Sequence, residues 1–486
     1  MDRMNRPTPP STAYLDHLVA ETAGRRAALA GAALGRAGSD GAASGGTAGE
    51  GAARAEVGAP DDLVAAVEQA ADRLEPELAE IVRRLHEHPE PAFEEHRSAA
   101  TLVEVLARHG VEAELGAHGV PTAFRAEFGD PAGPTIAICA EYDALPGIGH
   151  ACGHNVIAAS GVGAFLALHE VLTSGGSGGP GGSGSGSGGP GGSGAGPVPA
   201  GRVVLLGTPA EEGHSGKEVL ARNGALEGID AAIMVHPYGL DVADQVWLGR
   251  RLLTWTFTGR PAHASAQPYM GRNALDAASL AYQGIGLLRQ QMPPVDRVHA
   301  TIAEGGTRPS IITERAVVHL YARSKYPDTL RDLSRRLDDI ARGAALMTGT
   351  EVEITWDDGA HPSLPVRTND ALTERWVAAQ RRRGRDPLPA GVLSETLAAS
   401  TDFGNVSFRI PGIHPLVQVS APDVALHTAE FAAAAATPAA VSAAVDSAAG
   451  LAATALDYLS DAGLRAAVHE EFAAQGGPVD VVRYFD

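Results

Sequence analysis

Three short apolar runs, Thr135 to Ala140, Arg202 to Gly207 and Ala231 to Val235, each end in a polar turn carrying Cys, His or Glu. Apolar runs of this length bounded by turns suit strands buried on both faces, and the stretches between them can hold crossover helices. The pattern predicts an α/β domain with a parallel sheet covered by helices. In open sheets of this kind ligands bind beyond the carboxyl ends of the strands, so the polar turns are expected to converge on one crevice.

A helical pattern from Asp61 through Leu85 opens the ordered sequence. An Ala-rich helix from Pro438 to Tyr458, with its proline in the first turn, closes it. From about Leu252 the texture changes. Leu253, Trp255 and Phe257 alternate as one strand, and a helix follows through Ala274 to Leu288. Val298, Ala300 and Ile302 alternate as a second strand, then come a strand near Ala316 to Arg323, a helix from Asp328 to Ala345 and a strand from Glu351 to Trp356. Strand, helix, strand, strand, helix, strand is the order of a small α+β sandwich of ferredoxin-like kind, here inserted into the larger domain.

The expected organisation is a mostly disordered segment over 1–60, containing a helical stretch through the Leu15 to Leu34 region, and a first part of the larger domain over 61–251. The inserted domain covers 252–363, the second part of the larger domain 364–464, and a C-terminal tail 465–486. From Gly175 to Gly194 the sequence is nearly all Gly, Ser and Pro. Such composition buries too little apolar surface to offset chain entropy, which predicts a flexible surface insertion. No internal repeat is present.

The 486 residues carry a formal net charge of -20. That charge would be repelled by nucleic acid and by an anionic membrane, which leaves small molecules as the expected partners. No apolar core of signal-peptide length follows the first residues, and no run of about eighteen apolar residues lacks Gly or charge. The chain is therefore expected to be soluble and cytoplasmic. Of the two cysteines, Cys139 sits in an apolar strand pattern and Cys152 in a Gly- and His-rich turn, so a disulfide is not expected.

Four local patterns carry chemistry. In His150-Ala-Cys152-Gly-His154-Asn155 a thiol and an imidazole two positions apart on a glycine turn can face one metal, because sulfur and imidazole nitrogen are preferred zinc ligands. In Pro209-Ala-Glu211-Glu212-Gly213 adjacent carboxylates point in different directions, so one can bind metal while its neighbour reaches a water. Val235-His236-Pro237 and Leu426-His427-Thr-Ala-Glu-Phe431 add two histidines. Each pattern alone has a bland explanation in turns or solvated faces. Together they supply Cys, His, Glu, His and His to one α/β domain, a far more specific set.

From about Leu63 to Leu459 the sequence resembles the co-catalytic metallopeptidase family M20. The resemblance rests on Leu85-His-Glu-His-Pro-Glu, the His150 to Asn155 turn, Glu211-Glu212, Val235-His236-Pro237, Gly259-Arg-Pro-Ala-His263-Ala-Ser265, Asn273-Ala-Leu-Asp276 and His427-Thr-Ala-Glu-Phe431, in family order. It implies a zinc-peptidase-like α/β domain whose inserted α+β domain serves as lid and dimerisation domain. It also implies two divalent metal ions, zinc first and manganese or cobalt after it, held by Cys152, His154, Glu212, His236 and His427. Cys152 stands where many members have a bridging aspartate. Glu141 stands in the place of a ligand histidine, so His154 would supply the imidazole, with Asp143 behind the ligands orienting one of them.

By the same resemblance Glu211 is the general base of amide hydrolysis, and His263 would donate to the oxyanion of the partner subunit's site in a homodimer. Asn155 matches the branch that resembles β-alanyl-lysine-type dipeptidases and aminobenzoyl-glutamate hydrolase, which draws the expected substrate toward dipeptide-like compounds. Arg308, Arg323 and Asn155 are the candidate substrate-binding residues, since arginine forks suit a carboxylate. An N-acyl amino acid deacylase would use the same site. A catalytically silent binding protein, and a cysteine hydrolase with Cys152 activated by His150 or His154, are the competing readings from different functional classes.

Overall fold

The computed structural model describes residues 19–20, 22–25, 58–174 and 199–485. Most of the 1–60 segment and the whole Gly175 to Gly194 insertion lie outside them; within the first, residues 19–20 and 22–25 are helical.

The larger domain begins with α1 (Asp61–Arg73), α2 (Glu75–Glu87) and α3 (His96–Arg108). These are followed by β1 (Ala113–Leu115), β2 (Phe124–Gly129), β3 (Thr135–Ala140), α4 (His154–Ser174), β4 (Arg202–Gly207), α5 (Gly216–Arg222), β5 (Ala231–Ile233) and β6 (His236–Tyr238). The helical pattern over Asp61 to Leu85 folds as two helices that meet at Leu74, because Pro76 has no N–H to continue the ladder and is accommodated in the first turn of α2.

The inserted domain is β7 (Trp247–Thr258), α6 (Ala274–Leu288), β8 (Arg297–Glu304), β9 (Arg315–Ser324), α7 (Pro327–Thr348) and β10 (Glu351–Trp356). The chain then returns through α8 (Asp370–Arg382), β11 (Ala399–Ser400), α9 (Phe403–Ser407), β12 (Gly412–Ile413), β13 (Leu416–Gln418), α10 (Ala429–Ala434), α11 (Pro438–Ser460) and α12 (Ala462–Ala474).

The main sheet has the order β1-β2-β4-β3-β5-β12. It is parallel from β4 to β12, but β2 runs antiparallel to β4 and β1 antiparallel to β2, so the sheet is mixed where an all-parallel one was expected. Only the parallel strands need helical crossovers, and these are the ones whose ends carry the polar turns. Strand alternation splits the core. Ile136 and Ile138 pack toward α1, α2, α4 and α11, while Ala137 and Cys139 pack toward Phe403 and Val406. Helices α4 and α11 are long and apolar enough to cross a membrane by length and composition, yet most of each is buried in this core. Thr437 caps α11 by accepting from Ala440 N, with Pro438 at the first turn.

The inserted domain is a four-stranded antiparallel sheet in the order β10-β7-β9-β8, with α6 and α7 on one face. Leu330, Leu333, Leu337 and Ala341 recur at helical spacing along α7 and meet Leu253, Trp255 and Phe257 of β7. The sequence boundary at 251/252 falls inside β7, whose first two residues pair with β11 of the larger domain. The entering and leaving chains are tied together where Arg250 N donates to Ser363 O at 2.7 Å and Ser363 N to Arg250 O at 2.8 Å. The segment 465–486 is no loose tail. Most of α12 falls in it, and Val468, Phe472 and Val481 are buried.

Candidate metal and catalytic site

The carboxyl ends of β3, β4, β5 and the returning chain meet at one pocket of about 300 Å³. Cys152, Glu211, Glu212, His236 and His427 line it, and His154 lies fully buried against them. Atoms able to ligate a metal on Cys152, His154 and His236 lie within 4.8 Å of one another, and so do those on Cys152, Glu212 and His427. Cys152 belongs to both groups, which places its sulfur between two ligand sets.

Local geometry explains how these side chains are aimed. Gly153 separates Cys152 from His154 at φ +81°, and a Cβ there would come within 2.4 Å of Pro237 Cγ, so only glycine lets the turn pack on the His236 loop. His427 sits at φ +62° and Ala210, immediately before Glu211, at φ +61°. Non-glycine residues are held in that region only when their surroundings over-determine it. For His427 the restraint is its N–H donating to Ala151 O at 2.9 Å; for Ala210 it is its N–H donating to Glu95 Oε1 at 2.9 Å.

The ring nitrogens are sorted by hydrogen bonds. His154 Nδ1 donates to Asp143 Oδ1 at 3.0 Å and His236 Nδ1 to Pro237 O at 2.8 Å, which leaves Nε2 of both rings toward the pocket. His154 Nε2 is buried without a hydrogen-bond partner, and His236 Nε2 lies 3.4 Å from Cys152 Sγ. Buried unpartnered imidazole nitrogen beside thiol and carboxylate is the donor set a zinc-type ion requires, so these residues fit the implied metals.

The surroundings act on these groups in opposite directions. Burial lowers His236 to about 3 and keeps it neutral, as a ligand must be. Burial also disfavours charge on His154, but Asp143 and Cys152 outweigh it and hold its pKa well above the ordinary value. Burial, reinforced by Glu212 and Glu141, raises Glu211 well above the usual carboxylate range. Burial alone would raise Glu212 too, but His427, with Nε2 3.3 Å from Glu212 Oε1, and His154 leave it lowered. Burial and Glu212 push the Cys152 thiol up, the opposite of an activated cysteine nucleophile.

Over 415 residues the chain is 37% identical to the Xaa-Arg dipeptidase of Mus musculus, spanning 84% of this chain and 90% of that one. The chain belongs to the M20 peptidase family. Residues 249–346 match that family's peptidase dimerisation domain. A p-aminobenzoyl-glutamate hydrolase subunit of Escherichia coli (strain K12) is 29% identical, over 72% of this chain and 82% of its own. A dinuclear metal-binding M20 peptidase of Bacillus subtilis shares the fold at a TM-score of 0.58 and 21% identity, covering 79% of this chain and 99% of that one. As an M20 member the protein is a metal-dependent hydrolase of carbon–nitrogen bonds in small substrates.

The M20 site draws on residues that the sequence did not single out. Lys217, fully buried, is paired with Glu141 and, at 2.7 Å, with Asp402. Glu141 Oε2 reaches to 3.6 Å from His154 Nε2, so the carboxylate in the ligand-histidine position is neutralised by a lysine from behind. Glu95 holds the Ala210 turn. The Gly-Lys pair after the double glutamate was the visible signal for Lys217, but its partners lie 76 and 185 residues away.

Three candidate residues are placed differently from the sequence expectation or stand apart from this pocket. Asn155 is no substrate-binding residue: it is fully buried, and its Nδ2 donates to Val82 O at 3.1 Å and Ala435 O at 2.8 Å, tying α4 to α2 and to the end of α10. Arg308 is exposed on a loop of the inserted domain and does not line the pocket. His263 is exposed as well, its Nδ1 accepting from Ser265 N at 3.2 Å and Ala266 N at 3.1 Å, and it is absent from the pocket of its own chain. Arg323 does line the pocket, and Arg250, Arg297 and His299 of the inserted domain join it there.

Proposed function

We propose that this protein hydrolyses the amide bond of a dipeptide or acyl-amino acid whose amine side ends in a carboxylate, with zinc as its metal and a homodimer as its working form. The observation that carries this reading is the meeting, around one pocket, of the Cys152, His154, Glu212, His236 and His427 donor set, Glu211 beside it and a guanidinium wall from the inserted domain. The thiolate and three imidazoles favour zinc over harder cations. Two ions held by these five residues would acidify water and polarise the scissile carbonyl.

Glu211 makes no hydrogen bond among the described residues and borders the pocket beside Glu212, so it is free to take a proton from the attacking water and deliver it to the leaving nitrogen. Arg323 meets the substrate carboxylate and so positions the amide over Glu211. The dimerisation-domain match and the placement of His263 outside its own pocket support a site completed by a second subunit. Two free, buried cysteines suit a reducing compartment, which supports a cytoplasmic location.

The test is metal analysis together with turnover on dipeptides, aminobenzoyl-glutamate and N-acetyl amino acids before and after chelation. Activity on at least one class, lost on chelation and restored by zinc, is expected. Turnover that survives removal of all metal would overturn the reading in favour of the thiol.

A further inference from the structure

Ser215 follows the Glu211-Glu212 pair in the same turn and stands immediately before α5, fully buried, in the left-handed region at φ +57°. A residue with a side chain is disfavoured there, so the conformation persists only where its surroundings over-determine it. The restraint comes from the hydroxyl. Ser215 Oγ donates to His361 O at 2.9 Å and accepts from Arg250 Nη2 at 3.2 Å. Ser363 Oγ lies 2.9 Å away and donates to it, because the proton of Ser215 is already committed to His361. A hydroxyl offers one donor and two acceptor positions, and all three are filled.

All three partners belong to the two chain crossings between the domains. Arg250 is on the strand that enters the inserted domain, and His361 and Ser363 are on the segment that leaves it. Arg250 and Ser363 are also the pair whose backbones exchange two hydrogen bonds, which makes this place the hinge. On its other side Ser215 belongs to the turn that presents the two glutamates. Gly216 N donates to Ala210 O at 2.9 Å and closes that turn, and Ala210, next to Glu211, is itself held at positive φ. A Cβ at Gly216 would overlap Pro209 O, so the closure leaves no slack. A tilt of the inserted domain about residues 250 and 363 is therefore transmitted through Ser215 to the turn.

We propose that Ser215 is a positioning residue that latches the Glu211 turn to the hinge, so that the tilt of the inserted domain sets where the general base stands. This rests on the hydrolase reading of Glu211 and adds to it a mechanical link between the two domains. Placement matters here because a base displaced by about 1 Å can lose about a hundredfold in rate.

The experiment uses the metal-loaded full-length protein as wild type, Ser215→Gly, Ser363→Ala and the double variant. Glycine accepts positive φ, so Ser215→Gly removes the hydroxyl without adding strain. Ser363→Ala leaves Ser215, Arg250 and the turn in place and removes one of the three bonds. With a hydrolysed substrate of the panel above, Ser215→Gly should lower kcat by about tenfold or more and Ser363→Ala by about threefold, while metal content is unchanged and KM stays within about twofold. In the Ser215→Gly background Ser363→Ala should add nothing, since the latch is already gone. Amide hydrogen exchange over residues 211–216 should rise by about tenfold in both single variants. A kcat equal to wild type in both, even with a lowered unfolding midpoint, overturns the inference, and so do effects that multiply in the double variant. If the wild type hydrolyses nothing in the panel, the hydrolase reading fails instead. The exchange rates at 211–216 then decide the latch, and rates unchanged by Ser363→Ala overturn it.

Discussion

Asp143 accepts the Nδ1 proton of His154 at 3.0 Å while its second oxygen accepts the backbone N–H of Glu212 at 2.8 Å. One buried carboxylate thus orients two members of the donor set, and burial that would raise its pKa is outweighed by His154. Replacing it with alanine frees the ring to rotate and the Glu212 turn to relax. Asp143→Ala is expected to weaken metal binding by about 10–100-fold. Titration with a competing chromogenic chelator checks this, and an affinity equal to wild type would remove Asp143 from the site.

Glu211 and Glu212 are adjacent in sequence but differ in surroundings, since only Glu212 contacts His427. Glu211→Gln should purify with its metal and lose turnover by about 10²–10⁴-fold. Glu212→Ala should lose metal as well. Elemental analysis of the purified variants decides the matter, and equal metal content in both would mean that the two roles are misassigned.

His263 offers a test of assembly. If it serves the partner's site, a heterodimer of Glu211→Ala and His263→Ala subunits contains one doubly damaged site and one intact site. Random reassociation should then restore about a quarter of wild-type activity. Mixing without prior dissociation should restore little at first. Heterodimers that are present yet inactive would show that His263 acts within its own chain or not at all.

Glu95 predicts a pH dependence of stability. Burial, with Asp143 nearby, raises its pKa from 4.5 to about 7. The folded state therefore holds a proton that the unfolded chain releases, so the contribution of Glu95 to stability is greatest below 4.5 and falls as pH rises toward about 7. The shift corresponds to about 3 kcal/mol. Glu95→Gln keeps an oxygen for Ala210 N and Phe93 N but cannot ionise, so it should flatten this fall. Denaturant unfolding at pH 5 and pH 8 measures the difference, and parallel losses in both proteins would remove Glu95 as the cause.

Sequence alone sufficed wherever the controlling interaction is local. The strands Thr135–Ala140 and Arg202–Gly207 follow from apolar runs that only a doubly covered sheet can bury, and α7 from its 3.6-residue periodicity. The donor residues were legible for a related reason: a strand end places its turn at the crevice, so chemistry-bearing turns after apolar strands converge whatever the loops do. Other features depend on partners far away in the chain. Asn155 looked like a site residue because it adjoins His154, but the first turn of α4 points it backward into carbonyls of α2 and Ala435. Lys217 became part of the site through carboxylates contributed by β3's exit and by Asp402. The alignment of Arg250, Arg323 and Arg297 across β7, β9 and β8 exists only through register, because a one-residue slip of β9 would turn Arg323 into the helix-packed face and scatter three charges that lie far apart along the sequence.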